Sequence, residues 1–270
     1  MRIRSNALVG SVLVGVLFSI AVLSLFWTPY DPLGMSLKSR LNAPSPAHWL
    51  GTDEFGRDVL SRAMAGAGTS LLVAALTVAI AIACGTVLGL VSGFFRGVTD
   101  RVLMVFNDAL LAFPGILLAL GVMVVVGSNK YGIVIALGIA YTPNAVRLVR
   151  SAVLSLREKE YIEASRVIGN SELYTLLRHV LPNCAAPLLV LATSMFGWVI
   201  LAESALSFLG LGVPPPAPTW GNMLSSGRPY IESAAWLGIA PGLCISLSLL
   251  GINLLGDALS DWFDPRMERS

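Results

Sequence analysis

Charged side chains make up only 13% of this 270-residue chain, where a soluble domain carries roughly a quarter. Histidine occurs twice, at His48 and His179, and cysteine three times, at Cys84, Cys184 and Cys244. Histidines so far apart argue against a histidine-based metal site. The cysteines have no metal-like spacing and sit in or beside apolar stretches, which points to packing. There is no G-x-x-x-x-G-K-[ST] loop to cradle phosphates, so ATP hydrolysis is not expected in this chain. H-E-x-x-H and G-x-S-x-G are also missing, which argues against an intramembrane hydrolase. A net charge of +2 adds little, and nothing in the sequence points to nucleic acid.

What the chain has is long uncharged runs. No Asp, Glu, Lys or Arg occurs in Ser5–Tyr30, Ala63–Phe95, Ala109–Asn129, Tyr131–Val146, Val180–Ala202 or Ser233–Gly256. A helix crosses the hydrocarbon core with roughly 20 apolar residues, so five of these runs suffice as they stand. The fourth is short and reaches across by including Arg147 and Arg150, whose charged heads extend to the interface. Buried helices of a large soluble protein account for one or two such runs, not six. The expected fold is all-α: a polytopic integral membrane protein with six transmembrane helices. The first run has a basic leader, Arg2 and Arg4. It is too long for a secretory signal and ends in the bulky "SLFWTPYDP", so it is read as a retained anchor.

Six spans put both termini on one side. That side holds twelve basic residues: Arg2, Arg4, Arg96, Arg101, Arg147, Arg150, Arg157, Lys159, Arg166, Arg178, Arg266 and Arg269. The other holds six: Lys38, Arg40, Arg57, Arg62, Lys130 and Arg228. The excess assigns both termini to the cytoplasm. The chain then divides into residues 1–68, an anchor with a long outer loop; 69–258, a five-helix core; and 259–270, a cytoplasmic tail. Within the outer loop, "AHWLGTDEFGRDVLSR" predicts turns and a short helix near Asp58–Met64. Phe113-Pro114-Gly115 predicts a kink in the third span. The proline-rich stretch after the fifth span, "SFLGLGVPPPAPTWGNMLSSG", is expected to be an outer loop without a traversing helix.

The longest inner loop interrupts the apolar pattern. Tyr161, Ala164, Ser165 and Ile168 form one helical stripe, and Leu173, Leu176, Leu177 and Val180 another. Between them Gly169 suits a left-handed helix terminus and Ser171 a cap, and Pro182 marks the passage into the fifth span. Two short helices around a glycine turn are expected, with small Ala164 and Ser165 beside the carboxylate of Glu163 on the exposed face. Periodicity alone leaves other readings open: a helix lying on the bilayer, a solvated linker, or a helix-turn-helix, though a loop pressed against a membrane cannot enter a major groove.

The order Glu163-Ala164-Ser165, three residues, Gly169, nine residues, then His179-Val180-Leu181-Pro182 resembles the cytoplasmic signature loop of binding-protein-dependent ABC importer permeases. That pattern reads Glu-Ala-Ala, three residues, Gly, nine residues, Ile, one residue, Leu-Pro. Ser165 and His179 depart from it. "HWLGTDEFGRDVLSR", "ESALSFLGLGV" with "PTWGNML", and "NLLGDAL…DPR" extend the likeness to the C-type permease of dipeptide, oligopeptide and nickel importers. The resemblance implies a type I importer permease in a bacterial inner membrane, with a second permease, two ATP-binding subunits and an extracytoplasmic solute-binding protein as partners. ATP and magnesium would be used by the ATPases, and no cofactor would be bound here. Glu163, Ala164, Ser165, Arg166, Gly169, Leu181 and Pro182 would form the ATPase-coupling loop. Trp49, Asp53, Arg57, Asp58 and Trp220 are candidate outer-loop contacts. Asp108 and Glu203, two acids in or near spans, are candidates for the solute pathway or for structural pairing. They would also be the coupling carboxylates of the rival reading, an ion-driven secondary transporter. Peptides are the first expectation for the solute, with nickel, opines and oligosaccharides open.

Overall fold

The structure is a computed structural model that describes residues 2–263; Arg266, Arg269 and the Asp-Pro-Arg motif at 264–266 lie outside them. Helix α1 (Arg2–Leu23) leads into a loop without long helices, after which α2 (Val59–Phe95) runs unbroken for 37 residues. Next come α3 (Gly97–Leu111), α4 (Gly115–Val126) and α5 (Lys130–Leu156). The short α6 (Glu160–Val167), α7 (Glu172–Thr175) and α8 (Leu181–Asn183) precede α9 (Ala185–Phe208). Helices α10 (Trp220–Gly227) and α11 (Trp236–Phe263) complete the chain.

Among the described residues, α1, α2, α5, α9 and α11 are each long and apolar enough to span a membrane. The sixth candidate is a pair: α3 and α4 pass that test only together and are bent by 95° at the break. Pro114 explains the break. It cannot donate its backbone nitrogen to the preceding turn, and its ring disfavours helix in residue 113. The predicted kink is thus a near right-angle change of direction.

Helices α2 and α5 form the centre of the bundle and run parallel. Gly85, Gly89 and Gly93 recur every fourth residue on α2, where Ala145, Val149 and Val153 of α5 press against them. A Cβ on Gly89 would lie 2.7 Å from the Val149 Cβ and 2.8 Å from the Val146 carbonyl oxygen. With no hydrophobic drive between helices in lipid, such small-residue stripes hold spans together by close packing. Gly10 on α1 and Gly251 on α11 serve the same purpose: a Cβ on Gly10 would meet the Gly251 carbonyl oxygen at 2.9 Å.

At one end of the bundle, residues 24–58 fold onto the tops of α2, α10 and α11. The short helix expected near Asp58–Met64 is the start of α2 itself. Asp58 is its N-cap, accepting the Ser61 amide at 2.8 Å, and nothing interrupts the helix afterwards. Residues 68 and 258, where composition suggests boundaries, both fall inside continuous helices. The proline-rich segment does contain a short helix, α10, which begins after the prolines. There Thr219 and Asn222 cap each other reciprocally.

Candidate functional site

The polar passage between α5 and α9 is built on an apolar seat at the opposite end of the bundle. Ile162 of α6 is fully buried, as are Val149, Val153 and Val180, and they pack with Leu90, Phe94 and Leu176. Ser165 is buried too: its hydroxyl pairs with the Thr175 hydroxyl at 3.0 Å and accepts from the Asn170 amide at 3.1 Å. These contacts fold α6 against α7 across the turn. Gly169 makes that turn at φ +91°, a conformation that disfavours any β-branched residue. Ser171 caps α7 by accepting the Tyr174 amide.

The face of α6 differs from the expected stripe. Ile162 and Ser165 point inward, while Tyr161, Glu163, Ala164 and Ile168 face out. Ser165 is therefore a brace, and Ala164 is the small residue offered beside Glu163. Val167 and Ile168 stand 83% and 79% exposed at the tip, and Leu173 and Leu177 of the second predicted stripe are also outside. After α7 the backbone widens into a π-helical turn, Leu176–Val180. Leu176 and Val180, four residues apart on one face, are buried and Leu177 is not. His179 sits edge-on to Tyr161 and Tyr174, with ring centroids 6.4 and 5.9 Å away. Arg166 lies above Phe94 and beside Glu172, 3.4 Å from its carboxylate. Leu181 is half-buried, Pro182 exposed, and the chain turns at Cys184 into α9.

The seat is tied to three long helices. Arg157 donates to the Phe94 carbonyl at 3.0 Å, closing the end of α2. Asp100 of α3 receives a two-pronged bond from Arg150 of α5, at 2.6 and 2.7 Å, and a hydroxyl from Ser92 of α2. No local sequence pattern signals the arginine partners, because they are 50 to 64 residues apart.

The family of binding-protein-dependent transport system inner membrane components matches residues 85–269, which includes this whole segment. The chain belongs to that family. A peptide transport system permease of Brucella suis is 42% identical over 99% of this chain and 90% of its own length. A dipeptide transport system permease of Alkalihalophilus pseudofirmus is 41% identical, covering 97% of this chain and 86% of its own. A glutathione transport system permease of Pectobacterium atrosepticum is 40% identical, over 97% and 87%. The family is one of transport components, and this permease is similar to those three along nearly its full length.

The remaining candidates fall into two groups. Asp108 of α3 is half-exposed and pairs with Arg147 of α5 at 2.8 Å, not with the nearer Arg101. Glu203 of α9 is 1% exposed; Ser207 donates to its Oε1 at 2.8 Å, and Oε2 has no hydrogen-bond partner among the described residues. The two acids thus sit in different surroundings, one ion-paired and one not. Among the outer-loop residues, Asp53, Arg57, Asp58 and Trp220 are buried inside this chain and only Trp49 presents its side chain, 69% exposed. Asp53 accepts from the Arg57 Nε at 2.6 Å and from two loop amides. Asp58 pairs with His48 at 2.9 Å, and the Trp220 indole donates to the Ala63 carbonyl at 3.0 Å. The conspicuous loop motif therefore builds the loop, because charges carried by a short turn-rich segment find partners within it. Beside it, burial pushes the Glu54 carboxyl above its usual range, more than the backbone bond and the nearby Arg57 and Arg62 lower it.

Proposed function

We propose that this permease is one of the two membrane subunits of an ATP-driven importer for di- and oligopeptides, with α6 as the element that takes the stroke of a cytoplasmic ATPase. The observation that carries the reading is the shape of α6. Glu163, Ala164, Val167 and Ile168 protrude from a helix whose other face is locked to α2, α5 and α7. Protruding apolar residues beside the carboxylates of Glu160 and Glu163 suit a groove on a protein better than solvent. Peptides as solute rest on the names of the relatives, and delivery by a solute-binding protein and pairing with a second permease on the family.

The order of force follows from the ties. A push on α6 reaches Ile162 and Ser165, and through them Val149 and Val153 of α5 and Phe94 of α2. Arg157 and the Asp100–Arg150 pair carry it to α2 and α3. The long helices then move as rigid levers between two arrangements, each favoured by a different state of the ATPase. In this reading α6 and both termini face the cytoplasm, and the 24–58 loop faces the binding protein. Trp49 is its exposed candidate contact. ATP and magnesium are handled by the partner subunits.

The test is Gly169→Val in the assembled transporter. A β-branched residue strains the turn, so dipeptide uptake is expected to fall at least tenfold while the permease stays in the membrane at its normal level. Uptake and coupled ATPase activity at wild-type levels would refute the role given to α6.

A further inference from the structure

Helices α1, α2, α9 and α11 touch in pairs, α1 and α11 closely at Gly10 and Gly251, yet leave space where they diverge. Between them lies an open cavity of about 770 Å³, whose walls include Leu17, Phe18, Leu72, Phe196 and Ile252. Along α11 the lining runs from Ser248 to Leu259, about 16 Å of helix. Small residues at Ala21, Gly68, Ala75 and Ala192 leave the space that larger side chains would fill. A folded chain does not keep so much apolar space empty.

Water is a poor occupant. The three hydroxyls on the lining already bond to carbonyls of their own helices: Thr69 to Ala65, Thr193 to Val190 and Ser248 to Cys244. Among the described residues, one on the lining carries charge. Lys130, the first residue of α5, reaches the cavity half-buried, and it takes part in none of the ion pairs among the described residues. A lone ammonium at the edge of an apolar groove matches an amphiphile with an anionic head and a hydrocarbon tail. An apolar helix of a partner subunit would fill the groove and leave that charge unanswered.

We propose that this groove is a specific phospholipid site, with an acyl chain between α1, α2, α9 and α11 and the lipid phosphate paired with Lys130. The lipid would serve as a wall of the bundle where protein packing is incomplete. The site is independent of which solute is carried.

The test uses the full transporter in nanodiscs doped with phosphatidylglycerol bearing a photoreactive acyl chain, and in a parallel arm with diacylglycerol bearing the same chain. Cross-links are mapped by mass spectrometry. Wild type should be labelled on the groove residues several-fold more by the phospholipid than by the diacylglycerol. Lys130→Gln should erase that difference, and Ala75→Phe, which fills the groove, should abolish labelling with both probes. Co-purification of all subunits shows that the variants assemble. Equal labelling by the two probes in wild type, unchanged labelling in both variants, or cross-links from the groove residues to a partner subunit in place of lipid would overturn the proposal.

Discussion

At the scale of single residues, partners decide what each polar group does. Glu203 sits in α9 with one oxygen bonded to Ser207 and the other without a partner among the described residues. Glu203→Gln keeps the acceptor and the shape, so near-normal thermal stability of the purified transporter is expected. Glu203→Ala strands the Ser207 hydroxyl and opens a void, at a cost of about 1–3 kcal/mol. A melting curve for Glu203→Ala that overlays the wild type would show that the carboxylate braces nothing. Asp100 and Arg150 are a different case, since both are partly exposed and the pair is two-pronged. A double-mutant cycle over Asp100→Asn and Arg150→Gln should yield a coupling of roughly 1 kcal/mol, discounted for exposure. Additive single effects would leave α3 without that tie.

At the scale of elements, glycine position separates packing from flexibility. Gly89 has the Val149 side chain where its Cβ would be, so Gly89→Leu should push α2 away from α5 and strip the protein from the membrane fraction. Gly121 on α4 has open space where a Cβ would sit, with no atom within 4 Å, and Gly121→Ala is expected to leave membrane levels unchanged or raised. Immunoblots of washed membranes compare the two, and equal yields would mean that the α2–α5 stripe is not a packing interface. The π-helical turn at Leu176–Val180 belongs to this scale as well. It joins α7 to α8 with Leu176 and Val180 buried and Leu177 exposed, where the spacing of the sequence put all three on one stripe.

At the scale of the whole molecule, the ends of the bundle should differ in accessibility. Cysteine placed at Trp49 should react with a membrane-impermeant maleimide added to intact cells, whereas cysteine at Ile168 should react only after the membrane is opened. In opened membranes stripped of the ATPase subunits Ile168→Cys should react, and adding those subunits back should shield it. Labelling of Ile168→Cys in intact cells would invert the orientation and remove α6 from any cytoplasmic partner.

Much of this was legible in one dimension. Uncharged runs announce spans because the hydrocarbon core sets both their length and their composition. Pro114 announces the break in the third span because a missing backbone donor acts locally. Gly169 and Ser171 announce the turn between α6 and α7 for the same reason. Short-range rules carry such features, and the sequence determined them by itself. Which face of α6 is buried, which arginine answers Asp108, that Asp53 and Asp58 build the loop from within and that Trp220 ties α10 to α2 were decided only by the tertiary structure. Each depends on groups brought together from distant parts of the chain, and residue spacing holds no record of what will arrive opposite a side chain once the helices pack.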